Sequence, residues 1–232
     1  MQPIADVITY PMESDEWMRT IIIGGILSFL GFLLIPLFLV YGYLMRVIRS
    51  ATAGNPEPPT FGDWGELFVE GIKAFVIGLI YMLIPFIVLG VTVGSAVIAL
   101  ATGTDAGVAA GLSGLFVGLG LFFILALVFG YIAVAALVNF AREERFGAAF
   151  DVEVLKTVLF HREYAITWLV SVVIIVVASM IAGGLNLIPL LGAVIGAFVT
   201  FYAAIVAAAL WTDGFANAVN QPITPEPTTA HE

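Results

Sequence analysis

Four stretches of this chain carry no charged side chain: Thr20–Met45, Ala74–Thr104, Ala106–Ala141 and Tyr164–Thr212. A water-soluble fold carries about a quarter charged residues spread over its surface. Here the charged share is 11%, the hydrophobic share 61% and the mean hydropathy +1.10, with the charges gathered into the intervals between the runs. One helical crossing of a bilayer takes about 20 apolar residues at about 1.5 Å rise each. The first three runs each hold one crossing. The third, Ala106–Ala141, is too short for two helices and a turn, so its glycine-rich start reads as a loop leading into one tilted helix. The last run is too long for one helix and breaks at Gly183-Gly184, Asn186 and Pro189, which predicts a tight helical hairpin.

The expectation is an all-α integral membrane helical bundle of about five transmembrane helices. The predicted spans are 20–45, 74–101, 108–138, 164–182 and 187–211, with Pro36 and Pro85 inside the first two as kink points. An acidic segment, 1–19, precedes them, and a proline- and threonine-rich tail, 213–232, is expected to be disordered.

Between the runs lie two amphipathic stretches. Phe61, Trp64, Leu67, Phe68, Ile72 and Phe75 recur at helical spacing, with Asp63, Glu66, Glu70 and Lys73 opposite. Asp63 with Glu66 three residues on has the form of a capping box. The helix feeds directly into uncharged chain, which predicts an interfacial helix over 61–73 lying in the headgroup region. A second, over 146–163, carries Phe146, Phe150, Val154 and Val158 and is expected to run into the fourth span without a turn. Both follow basic residues after a span and begin with a Phe-Gly pair, Phe61-Gly62 and Phe146-Gly147, so the chain predicts a parallel internal repeat. Trp17, Phe61, Trp64, Leu67, Phe68, Ile72, Phe146 and Phe150 are the expected membrane-interface residues.

Small residues three or four apart share a helix face and let backbones approach. Gly90 and Gly94, then Gly107, Gly111, Gly114 and Gly118, then Gly192 and Gly196 are therefore the expected helix-packing positions. A homo-oligomer contact through one of these stripes is the alternative to packing within one chain.

Seven of the eight basic residues fall in the two long loops, which places those loops and the C-terminus in the cytoplasm and the N-terminus outside the cell membrane. The acidic, lysine-poor exterior argues against nucleic acid as a partner. It also fits a salt-rich, halophile cytoplasm, where ions screen self-repulsion.

A further reading comes from resemblance. The run YPMESDEW, the segment PLFLVYGYLMRVIRSATAG and the segment PPTFGDWGELFVEGIKAFVIGLIYMLIP resemble the archaeal membrane-protein family catalogued as domain of unknown function 4013. The similarity spans roughly Asp6 to Ala216 and is most specific at Gly42-Tyr43 with Arg46, at Phe61–Glu70 and at Tyr81–Pro85. The resemblance implies a multi-pass archaeal membrane protein and assigns no activity, ligand or catalytic residue.

Catalytic, cofactor-binding and metal-ligating sets do not emerge from the sequence. There is no cysteine, His161 and His231 stand apart, and no phosphate loop, dinucleotide fingerprint or zinc-protease motif occurs. The predicted spans hold no ionisable group of the kind that proton- or ion-coupled carriers keep near the midplane. They do hold Ser28, Tyr81, Thr92, Ser95, Ser113, Tyr131, Ser171, Ser179, Thr200 and Tyr202. The expectation is a non-enzymatic membrane scaffold or partner-binding component, with the lipid bilayer and a second membrane protein as partners. A channel or uniporter for a small uncharged solute, or a membrane subunit of a larger permease, is the alternative.

Overall fold

The computed structural model describes residues 4–188 and 190–220. Among them the chain is helical throughout: α1 (Ile4–Thr9), a 3-10 turn (Tyr10–Met12), α2 (Trp17–Phe29), a 3-10 turn (Gly31–Leu33), α3 (Ile35–Thr52), α4 (Trp64–Ala101), α5 (Asp105–Glu143), a 3-10 turn (Phe146–Phe150), α6 (Val152–Leu159), α7 (Arg162–Leu185) and α8 (Leu191–Asn220). Four of these, α4, α5, α7 and α8, are long and apolar enough to cross a membrane. They form two antiparallel hairpins, α4 with α5 and α7 with α8, joined at one end. In its most apolar window α4 is only 17% buried and α5 22%, so lipid, rather than protein, covers most of their surface.

The first span departs from expectation. Residues 20–45 do not form one helix: α2 stops at Phe29, the chain turns through Leu30–Leu34, and α3 runs back. Leu34 takes a positive φ of 63° at that turn. Pro36 sits in the first turn of α3, where its missing N–H costs nothing, so it starts a helix instead of kinking one. The residues before α2 (Val7, Tyr10, Glu13) line the same cleft as the end of α3 (Ala51, Gly54, Asn55, Pro56). The segment therefore enters and leaves on one side of the bundle. The N-terminal segment also packs along α8, where Val7 clusters with Val206 and Leu210.

Other boundaries move for local reasons. α5 begins at Asp105 without a preceding loop, because Thr104 caps it through a 3.0 Å bond from the Gly107 amide, so the glycine-rich stretch is helical. α8 continues to Asn220, which makes 213–220 helix; the rest of the expected tail, 221–232, and Pro189 lie outside the described residues. The amphipathic stretch 61–73 is not a separate helix in the headgroup plane. α4 is continuous from Trp64 to Ala101, with Asp63 in a left-handed conformation and making no side-chain cap. The second stretch does contain a break: Asp151 caps α6, Phe160 is 89% exposed, and His161 caps α7. The two units thus share an order of elements and differ in how they join.

One crossing sets the geometry of the joined end. A Cβ on Gly42 would lie 1.9 Å from the Leu67 carbonyl oxygen, and one on Gly71 would lie 1.7 Å from that of Phe38. Each glycine lets the facing backbone of the other helix in, so α3 and α4 touch main chain to main chain. Around this contact gather Tyr43, Leu67, Ile77, Val138, Phe140, Val158, Tyr164, Phe201, Ile205 and Phe215, all nearly or fully buried. The main core lies here, at the end where six helical segments meet.

Candidate functional site

The joined end also holds the charges. Arg46 and Arg49 stand one turn apart on α3 and face the start of α4. Arg46 Nη1 donates to the Gly62 carbonyl at 3.1 Å, and its Nη2 lies 3.5 Å from Glu66. Arg49 ties three helices together. It pairs with Glu70 of α4 through Nη2, lies 3.1 Å from Glu144 through Nε, and also donates to the Ala141 carbonyl of α5 at 3.3 Å. Glu70 is 9% exposed, and its second carboxylate oxygen is buried without a partner. A carboxylate so enclosed is tolerable only while its guanidinium stays in place.

The sequence placed Glu70 on the solvent side of its helix. The buried stripe of α4 is instead Leu67, Glu70, Gly71, Ala74 and Ile77. This stripe is rotated from the aromatic one because α3 docks where Gly71 gives room. Of the expected interface residues, Leu67 is fully buried in protein, and Phe61 stacks on Tyr43 at 4.2 Å and on Trp64 at 5.7 Å. Phe68 packs edge-on against Phe38, and Ile72 and Trp17 are half-buried. Trp64, Phe146 and Phe150 are exposed, the last stacked at 5.8 Å on Tyr81. Gly90 and Gly94 face no neighbouring element, whereas Gly107 receives Thr102, just past α4, and Gly111 and Gly118 receive Leu100 and Thr92 of α4. Gly114 faces Ala96, Gly192 closes on the Leu185 carbonyl, and Gly196 meets Ala182.

Tyrosine hydroxyls tie the helices to one another and to the segments between them. Tyr43 donates to the Pro59 carbonyl at 3.0 Å, Tyr81 to Ala149 at 2.6 Å, Tyr131 to Leu159 at 2.7 Å, Tyr164 to Tyr131 at 2.8 Å and Tyr202 to Ile8 at 2.6 Å. Asn139, 2% exposed, holds the Ala148 carbonyl at 2.8 Å. The sequence places Tyr81, Tyr131 and Tyr202 within spans, but their partners lie 28 to 194 residues away and are not legible from it.

Two neighbouring clefts open at this end. The larger, of about 450 Å³, lies between the N-terminal segment, the end of α3 and α8, and is walled in part by Tyr10, Glu13, Asn55, Thr212 and Asp213. The smaller, of about 270 Å³, lies beside Thr52, Arg142 and Phe215. Arg142 sits over the Phe215 ring at 5.8 Å. The Tyr10 hydroxyl is pushed up to about 12, first by burial and then by the Glu13 carboxylate. No group of three or more metal-ligating side chains occurs among the described residues.

Every basic residue, Arg19, Arg46, Arg49, Lys73, Arg142, Arg145, Lys156 and Arg162, thus lies toward the joined end, and Asp105 is the one charge at the other end among the described residues. Four apolar helices on a charged, tightly packed base define a helical membrane-embedded protein. The family described as "Protein of unknown function (DUF4013)" matches residues 29–187, and the chain belongs to it. No curated protein and no solved structure matches the chain.

Proposed function

We propose that this protein is a non-enzymatic scaffold of the cell membrane, with its charged base in the cytoplasm as the surface that meets a partner protein. The observation that carries this reading is the use already made of the polar groups within the long helices. Thr92 donates to Val88, Ser95 to Thr92, Ser113 to Ala109, and Thr200 to Gly196, each to a carbonyl of its own helix. Ser171 donates to Trp168 and accepts from Trp211, and Tyr81, Tyr131 and Tyr202 are committed to the connecting segments. A solute path needs such groups free to replace water around the solute. Apart from Ser179, these groups are already engaged within the protein, which favours a closed bundle over a channel or uniporter. Paired acidic and basic groups around Arg49, together with exposed Arg145, Asp151 and Glu153, give the base the mixed charge of a protein-docking rim.

The test is flux and capture together. Proteoliposomes should show the same glycerol and water permeability as empty liposomes, while the protein solubilised in mild detergent should carry a stoichiometric partner. That partner should be lost on Arg145→Glu with Glu153→Lys. Solute flux above the empty-liposome rate would overturn the reading.

A further inference from the structure

We infer that α2 and α3 form a re-entrant hairpin that enters the bilayer from the charged side, stops inside it, and leaves on the same side. Its tip is bathed by the acyl chains of the adjoining leaflet. The inference concerns how the chain lies in the membrane and stands whether the base recruits a partner or not.

Three observations carry it. The two ends of the hairpin share one cleft, where Val7, Tyr10 and Glu13 face Ala51, Gly54 and Asn55. Arg19 near the entry and Arg46 and Arg49 near the exit are the charges nearest to the 26 uncharged residues Thr20–Met45 that lie between them. The tip is apolar and open: Phe32 is 74% exposed, Leu33 55%, Leu34 56% and Ile35 60%. In water such a tip would be a costly patch; in hydrocarbon it is the expected surface.

Length and docking then fix the depth. A 13-residue α2 reaches about 20 Å, short of the roughly 30 Å of a hydrocarbon core, so it cannot cross. Nor is it free to lie flat, because its inner face is seated on a membrane helix. A Cβ on Gly24 would lie 2.0 Å from the Phe201 ring, and one on Gly25 2.5 Å from the Phe198 ring, so these glycines are the slots into which α8 fits. On the opposite face Ile22 and Ile26 are exposed. The occupant that covers them is lipid, because α8, which flanks the hairpin, is itself in lipid.

The arrangement places both ends of the chain's described part on one side and makes the bundle wider in one leaflet, where six segments share the cross-section, than in the other, where four remain. Single cysteines placed in this cysteine-free chain test it with a membrane-impermeant maleimide on vesicles of each orientation. Met12→Cys, Asn55→Cys and Lys156→Cys should all label from one side, and Ala101→Cys and Asn186→Cys from the other. Phe32→Cys and Ile35→Cys should label from neither side, and a fluorophore attached there after solubilisation and reconstitution should be quenched by spin-labelled acyl chains. Labelling of Met12→Cys and Asn55→Cys from opposite sides would overturn the inference, as would impermeant labelling of both tip positions.

Discussion

Substituting Gly71 by alanine adds one carbon at the place where α3 and α4 touch. That carbon would stand 1.7 Å from the Phe38 carbonyl oxygen and 3.0 Å from the Gly42 nitrogen, both backbone atoms that no rotamer change can move aside. Ordinary contact begins near 3.4 Å, so the two helices must part by about 1.7 Å at the crossing. Over-packing of a well-fitted core costs about 1–3 kcal/mol, and a clash against main chain belongs at or above the upper end of that range. Parting the helices also draws Arg49 away from Glu70, leaving a buried carboxylate less well paired. Gly78, seven residues along the same helix, has nothing within 4 Å of its would-be Cβ. There, Gly→Ala should be neutral or stabilising by up to about 1 kcal/mol through helix propensity. The assay is the unfolding midpoint in mixed micelles of increasing SDS fraction, read by far-UV circular dichroism for both variants and the parent. Gly71→Ala should lose at least about 2 kcal/mol relative to Gly78→Ala. Equal midpoints for the two would refute the main-chain contact and with it the described docking of α3.

Two further outcomes follow from the charged base. Glu70→Gln keeps the side-chain shape and removes the charge that holds Arg49; since Glu144 and Glu66 remain beside that guanidinium, the loss should be about 1–3 kcal/mol, below the full cost of orphaning a buried charge. A double-mutant cycle with Arg49→Gln checks it, and a coupling energy near zero would count against the pair. For Tyr10, burial raises the folded-state value to about 12 from the ordinary 10.0, so the fold favours the neutral phenol. That stabilisation is whole below pH 10 and fades as pH climbs from there toward 12. The Tyr10 hydroxyl is buried without a hydrogen-bond partner, so Tyr10→Phe should be at least as stable as the parent below pH 10, and the gap between their unfolding midpoints should widen from there toward 12; curves that remain parallel would sink the assignment.

The uncharged runs announced α4, α5, α7 and α8, because a bilayer accepts a helix on hydropathy and length alone, and those are properties of consecutive residues. The break near Asn186 was readable for the same local reason, in a Gly-Gly-x-Asn-x-x-Pro stretch. The first run defeats the length rule because Thr20–Met45 satisfies it just as a crossing does. Nothing in its residues states that Gly24 and Gly25 will take in Phe201 and Phe198 or that α3 will return to Gly71.

A helical chain in a membrane is written in consecutive residues, since hydropathy and backbone hydrogen bonding leave few other solutions over such runs. Which face of α4 is inside, the burial of Glu70 on Arg49 and the return of the N-terminal segment to the base belong to the packing of the whole chain. Those are contacts between residues far apart in the chain, chosen by where glycine lets two backbones meet, and no window of neighbouring residues contains that information.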